Sequence, residues 1–241
     1  MYTFDGIDQW VLSNFSYRNL PAVYPFFLII TMLGEALLWI VALAGYLLVG
    51  REKKIAAALL IALAFSVIIN DDLKVIIQRP RPERPALGEF LSYKSYSFPS
   101  GHAQTAFLIA AFLAAFLARR YGIIAYGLAT AVALSRLYLD VHYFTDVVAG
   151  ALAGIAIAWL ALYALRLAGL YEMKGLISNG ASKHVKTDES VIRLASLIVI
   201  AGFILALGAS LLASPVASLA ICSLAYLVLL VILSRSEKSR A

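Results

Sequence analysis

The sequence predicts an all-α membrane protein: a polytopic helix bundle of about seven spans, preceded by a short helix lying in the membrane interface. Hydrophobic residues make up 62% of the 241 residues and charged residues 14%, with a mean hydropathy of +0.87. That balance leaves too little polar surface to keep a water-soluble domain of this size dispersed. Apolar runs of about the 20 residues needed to cross a ~30 Å hydrocarbon layer recur seven times. The basic residues, which give a formal net charge of +6, stand scattered at the ends of those runs, which argues against a nucleic-acid surface.

The elements follow in chain order. Met1 to Leu20 has no basic start followed by a short apolar core, so no cleaved leader is expected. Within it Ile7, Trp10, Val11 and Phe15 recur at helical spacing, with Asp5, Asp8 and Asn14 between them. This is the pattern of an interfacial amphipathic helix, a disordered tail being the competing reading. The spans fall at roughly 22–49, 55–78, 102–119, 122–139, 147–170, 191–213 and 216–234. Only Ala213-Ser214-Pro215 separates the last two, and proline there suits a helix start, where its missing N–H costs little. Tyr171 to Glu189 is polar and contains Gly175, Gly180, Lys174, Lys183 and Lys186, which reads as a loop with His184 solvated in it. The chain therefore divides into a membrane domain over 1–170, a loop over 171–190, and two further spans with a basic tail over 191–241. The single cysteine, Cys222, sits in an apolar run and can form no intrachain disulfide.

Orientation follows from the basic residues. Thirteen fall on one side: Arg51, Lys53, Lys54, Arg119, Arg120, Arg166, Lys174, Lys183, Lys186, Arg193, Arg235, Lys238 and Arg240. Seven fall on the other: Arg18, Lys74, Arg79, Arg81, Arg84, Lys94 and Arg136. The first side is expected to be cytoplasmic, with the C-terminus inside and the loops after spans two and four outside.

The outer ends of spans two to five carry the chemistry. Span two ends in Lys74-Val-Ile-Ile-Gln78-Arg79-Pro80-Arg81-Pro82, span three opens with Pro99-Ser100-Gly101-His102, span four ends in Ser135-Arg136, and His142 and Asp146 begin span five. Under alternating topology all converge on one membrane face, as a dianionic phosphate requires. Arg81 and Arg136 offer planar bidentate donors and Lys74 a compact charge. The N–H groups of Ser100, Gly101 and His102 would face outward at a helix N-terminus, where Gly101 allows close backbone approach and the Ser100 hydroxyl can donate. His142 and Asp146 are four apart, so on one helical turn the carboxylate can fix the imidazole tautomer and leave the other nitrogen to attack. His102 can then protonate the departing oxygen.

The pattern Lys74-x6-Arg81-Pro82, Pro99-Ser100-Gly101-His102 and Ser135-Arg136-x5-His142-x3-Asp146 resembles the signature of the type 2 phosphatidic acid phosphatase superfamily, over about residues 5–168. The family includes lipid phosphate phosphatases, undecaprenyl diphosphate phosphatases, glucose-6-phosphatase and vanadium haloperoxidases. The resemblance implies a phosphohistidine on His142 oriented by Asp146, His102 as leaving-group acid, and phosphate held by Lys74, Arg81, Ser100, Gly101 and Arg136, with no metal or cofactor. The implied partner is a membrane lipid bearing phosphate, with no nucleic acid; a homo-oligomer stays open. One departure stands out. The family's common membrane form has six spans with the first motif ending the third, whereas here it ends the second. The five-span core with an interfacial N-terminal helix resembles a subset of undecaprenyl diphosphate phosphatases.

A polyprenyl diphosphate is the favoured substrate on that analogy alone. Phosphatidic acid or phosphatidylglycerol phosphate stands behind it, and a soluble phosphate such as glucose-6-phosphate further back. Haloperoxidase chemistry is disfavoured because those relatives are soluble. The rivals from another class are a seven-span transporter, which would place broken helices and polar groups at the midplane, and a silent lipid binder, which would have lost His142 or Asp146. A retinal-type receptor would need a lysine midway along the last span, and Val216 to Leu233 has none.

Several residues keep two readings. Lys74 and Arg81 could be snorkelling anchors, and His142 with Asp146 a structural pair. Asn70 and Asp71, one turn before Lys74, are expected to orient it, whereas Asp72 points elsewhere. Glu35, beside Gly34 midway along span one, either lines the lipid access route or site, or hydrogen-bonds another helix in protonated form. Arg79 and Arg84 either attract the headgroup or are simply interfacial, and Tyr138, Tyr143 and Phe144 read as an interfacial aromatic belt.

Overall fold

The computed structural model describes residues 5–49, 53–82 and 96–167. The predicted loop 171–190 and the spans at 191–213 and 216–234 lie outside the described residues, as do Arg84, Lys94, His184 and Cys222. Two compact units divide the chain, Met1–Ala158 and Trp159–Ala241; the described part of the second is the end of one helix, and the packing and the cavity described below belong to the first.

All regular structure among the described residues is helical: α1 (Asp5–Asn14), α2 (Tyr24–Thr31), α3 (Ala36–Val49), α4 (Lys53–Ile77), α5 (Gly101–Phe116), α6 (Arg119–Tyr138) and α7 (Phe144–Leu167). By length and composition α4 (over Ile55–Ile77) and α7 can each cross a membrane. Large apolar side chains such as Leu37, Val41, Ile123, Ile124 and Leu152 are exposed, a surface suited to lipid. The protein is a membrane protein, all-helical in its described residues.

The first predicted span is not one helix. α2 and α3 meet at 52°, across a 3-10 turn at Met32–Gly34 and an extended Glu35 (φ −76, ψ 116). Gly34 explains why the backbone departs there. A Cβ at this position would stand 2.7 Å from Val132 Cγ1 and 2.8 Å from His102 Cβ, so the chain passes hard against α5 and α6. Trp39 Nε1 donates to Leu33 O at 2.7 Å and satisfies one carbonyl at the break.

α5 is the centre of the bundle. Ala103, Gln104, Thr105, Ala106, Leu108 and the three residues that follow it are all buried, as expected of a helix without a solvent face. The short Leu117–Ala118 link folds α6 back along it, and these two helices share the most extensive packing. α7 lies against α5 through Gly150 and Gly154, a small-xxx-small stripe. A Cβ at Gly150 would stand 3.2 Å from the Ser100 carbonyl carbon, and one at Gly154 3.0 Å from that of Gln104. The buried Gln104 ties α5 to α4: its Nε2 donates to Ser66 O at 2.8 Å, and its Oε1 accepts from Asn70 Nδ2 at 2.8 Å.

Two corrections concern the interface-facing groups. Val11 of α1 and Phe15 just after it pack on the core beside Ala103, Ala133, Leu137 and Val147, but the helix turns Asp8 inward, fully buried, and leaves Ile7 and Trp10 exposed. Tyr138 is not in an aromatic belt. It is fully buried, stacks on Phe27 at 4.3 Å between ring centroids, and donates from its hydroxyl to Leu20 O at 2.6 Å.

Candidate active site

A cavity of about 260 Å³ opens where α4, α5, α6 and the break between α2 and α3 meet. Lys74, Arg81, Arg136, Gly101, His102 and His142 line it, together with Gly34, Glu35, Asn70 and Asp71. Three cations and two imidazoles thus share one space, delivered by four separate helix ends.

Each is placed by local structure. α4 ends at Ile77, and Gln78 just after it, with a positive φ of 50°, turns the chain sharply, so that Lys74 stays on the helix while Arg81 comes back over the cavity. Arg81 Nη1 donates to Val141 O at 2.7 Å and lies 3.2 Å from His142 Nε2. Arg136, in the last turn of α6 and almost fully buried, donates from Nη1 to Thr31 Oγ1 at 2.6 Å, where α2 reaches the break. Lys74 Nζ pairs with Asp71 Oδ1 at 3.4 Å, within one helical turn. Asn70 does not orient Lys74, contrary to expectation. It is turned toward α5, where it bonds Gln104, and a Cβ on Gly101 would come 3.0 Å from its Oδ1.

Ser100 is the N-cap of α5 and its N–H donates to Asp146 O at 3.0 Å. Its hydroxyl is buried with no hydrogen bond among the described residues and is absent from the cavity wall. His102, one position into α5, brings Nε2 to 3.4 Å from Glu35 Oε2, so the carboxylate at the helix break faces an imidazole of the site.

His142 and Asp146 do not share a helical turn. α7 begins at Phe144, so His142 is in the preceding loop, with Nδ1 3.6 Å from Asp146 Oδ2. Asp146 is in the first turn of α7 and accepts from Tyr143 N at 2.9 Å, half of a capping box. The same Oδ2 takes the hydroxyl of Ser97, which is also 3.4 Å from His142 Nδ1. A carboxylate on the Nδ1 side and a guanidinium donor on the Nε2 side select the tautomer with the proton on Nδ1. Burial is the main cause of a strongly lowered His142 pKa, to about 3; Asp146 opposes it, and Arg81 and Arg136 reinforce it. The ring is therefore neutral at physiological pH, with its Nε2 lone pair turned toward the cations.

Three participants escaped the sequence reading: Ser97, Asp8 and Arg79. Arg79 is not a headgroup lure. It is buried, donates from Nη1 to Asp146 Oδ1 and Thr145 Oγ1 at 2.6 Å each, and from Nη2 to Asp8 Oδ2 at 2.6 Å. Its guanidinium lies 4.2 Å from the Tyr143 ring centroid, so Tyr143 is a stacking partner here. The lone signal available was the Arg79-Pro80-Arg81-Pro82 run, in which either arginine could have served the site. Among the described residues no group of His, Cys, Asp and Glu comes together as a metal site.

A helical membrane protein whose cation-lined cavity holds a buried imidazole between a carboxylate and a guanidinium has the build of a phosphatase working on lipid-borne phosphate. The family model of the PAP2 superfamily matches residues 55–169. The probable lipid phosphate phosphatase beta of Arabidopsis thaliana is 32% identical over 151 residues, covering 51% of this chain and 71% of that protein. The undecaprenyl-diphosphatase of Sulfolobus acidocaldarius is 27% identical over 160 residues, covering 65% and 78%. The crystal structure of a transmembrane PAP2-type phosphatidylglycerolphosphate phosphatase from Bacillus subtilis superposes with a TM-score of 0.56 at 28% identity, covering 67% of this chain and 85% of that one. The chain belongs to the PAP2 superfamily, and it is a lipid phosphatase.

Proposed function

We propose that the protein removes the terminal phosphate of a polyprenyl diphosphate at the extracytoplasmic face, through a phosphohistidine on His142 and without a metal. The observation that carries the mechanism is the pairing of the two faces of His142. Nδ1 is backed by Asp146 at 3.6 Å, and Nε2 faces a cavity lined by Lys74, Arg81 and Arg136. In this reading His142 Nε2 attacks phosphorus, the bond to the leaving oxygen breaks, and His102 gives that oxygen its proton. Water then attacks the phosphohistidine, losing a proton to His102, and inorganic phosphate leaves as the P–N bond breaks. The three cations and the N–H groups at the start of α5 neutralise charge on the transferring phosphoryl group.

A cavity of about 260 Å³ is the size of a phosphate headgroup, which supports a substrate whose tail stays in the bilayer. The excess of basic residues on the opposite loops supports the outward face. The bent α2–α3 pair and α4 to α7 would supply five spans, and the apolar runs at 191–213 and 216–234, outside the described residues, are expected from the sequence to supply two more. The diphosphate preference draws on the likeness to the archaeal undecaprenyl-diphosphatase; the likeness to the Bacillus phosphatidylglycerolphosphate phosphatase favours a phospholipid monoester as second reading.

Purified protein in detergent, with a chelator present, would be assayed for phosphate release from a long polyprenyl diphosphate, phosphatidic acid and phosphatidylglycerol phosphate. Release that survives the chelator, is lost in His142→Ala and is fastest on the diphosphate is expected. Fastest release from a monoester would replace the substrate and keep the mechanism. Unimpaired release by His142→Ala would overturn it.

A further inference from the structure

Asp146 is held by more than the residues around it in sequence. Its Oδ2 takes the Ser97 hydroxyl and the Tyr143 N–H, while its Oδ1 takes Arg79 Nη1 at 2.6 Å. Arg79 reaches further through its backbone, because its carbonyl accepts from Ser97 N at 2.8 Å and so seats the serine that bonds Asp146. The other arm of the guanidinium, Nη2, is taken by Asp8 of α1 at 2.6 Å. Asp8 also caps the start of α7, accepting from Thr145 N at 3.0 Å and from Thr145 Oγ1 at 2.8 Å. Asp8, Arg79 and Asp146 are each buried, the two carboxylates completely.

Two buried carboxylates in such a place are tolerable only with a cation between them, and the planar fork of arginine is the group that can bond both at once. The chain therefore runs from the N-terminal helix through one guanidinium to the carboxylate behind the nucleophile. We propose that Arg79 is a positioning residue for Asp146 and that Asp8 acts through it, so that α1 is a working part of the active site and not only an interfacial helix. This rests on the reading of His142 as nucleophile. Arg79 is absent from the cavity wall, so it sets the Asp146–His142 pair and leaves phosphate binding to Lys74, Arg81 and Arg136.

The test uses the full chain in detergent, with phosphatidic acid as substrate and kcat, KM and thermal unfolding read for each variant. Losing one charged hydrogen bond on Asp146 is worth about 30-fold in rate. Arg79→Gln is expected to lower kcat by about that factor with KM within about threefold, and Arg79→Lys, which cannot bond both carboxylates, to fall between. Asp8→Asn is expected to lower kcat by several-fold, roughly the effect of loosening one end of the fork. The double variant Asp8→Asn/Arg79→Gln should lose clearly less than the product of the two single losses, since most of the effect of Asp8 passes through Arg79 and only its bonds to Thr145 remain. Additive losses in the double variant, a rise in KM with kcat kept, or wild-type kcat in a folded Arg79→Gln would each overturn the proposal. If Arg79→Gln fails to fold, Asp8→Asn and Arg79→Lys decide by the same kcat-against-KM criterion. Failure of the nucleophile reading shows separately, as full activity in His142→Ala.

Discussion

Gly150 and Gly154 set the distance between the two halves of the site, and alanine at each separates catalysis from packing. At Gly150 the new Cβ would stand 3.2 Å from the Ser100 carbonyl carbon and 3.3 Å from Gln104 N, nearer still to the Ser100 oxygen. Non-bonded carbon contacts settle at about 3.5–4.0 Å, so α7 must retreat from α5 by roughly 1 Å. Ser100 caps α5 one residue before Gly101 and two before His102, and its N–H bonds Asp146 O at 3.0 Å. Retreat there therefore draws Asp146 and His142 away from the other wall of the cavity. A displacement of about 1 Å from a near-attack geometry costs on the order of 100-fold in rate, and overpacking of this kind about 1–3 kcal/mol in stability. Gly154 meets α5 one turn farther along, where an alanine Cβ would stand 3.0 Å from both the Gln104 carbonyl carbon and Leu108 N. Gly154→Ala is expected to lose similar stability but only about tenfold in kcat, because α7 can pivot about its distant turn. Phosphate release in detergent gives kcat, and fluorescence-detected unfolding gives stability. Wild-type kcat in Gly150→Ala, or a larger rate loss in Gly154→Ala, would refute the idea that this close approach positions the dyad.

Two further outcomes are expected. Glu35→Gln removes a half-exposed carboxylate 3.4 Å from His102 Nε2, an effect worth about 1 kcal/mol after solvent screening. In a single-turnover burst it should slow phosphohistidine formation from alkyl lipid phosphates about fivefold and leave its formation from p-nitrophenyl phosphate, whose leaving group needs no acid, unchanged; equal slowing of both would discard Glu35 as a partner of His102. The His142 pKa near 3 lies below the ~6.5 of an unfolded chain, so the unfolded state takes up a proton that the native state refuses. That stabilisation is complete above pH ~6.5 and lost as pH falls, by about 2 kcal/mol between pH ~7 and pH ~5. Thermal unfolding of wild type and His142→Gln across that range should show the wild type losing the more; parallel curves would contradict a buried neutral imidazole.

What the sequence made legible is tied to helix ends. Lys74, Arg81, His102, Arg136 and His142 stand at the termini of apolar runs, so alternating topology alone predicts that they meet, and one cavity does receive them. The Asp8–Arg79–Asp146 chain was illegible because it joins residues 71 and 67 positions apart, and a buried ion pair leaves no periodicity. Asp8 sits among Ile7, Trp10 and Val11 in a pattern that equally describes a helix lying flat in the interface. Ser97 was hidden for the same reason: its partners come from the loop at His142 and the first turn of α7. The break in the first span left a trace, a carboxylate beside a glycine inside an apolar run. What Glu35 faces depended on Gly34 packing against α5 and α6, which is tertiary information.

The central claim is that His142 carries the phosphoryl group. Rapid quenching of the protein with phosphate-labelled lipid, in the presence of a chelator, followed by mapping of the acid-labile label, tests it directly. Label is expected on His142, absent in His142→Ala and accumulating in His102→Ala when a substrate with a good leaving group is used. Label on another residue, or turnover in His142→Ala at the wild-type rate, would contradict it.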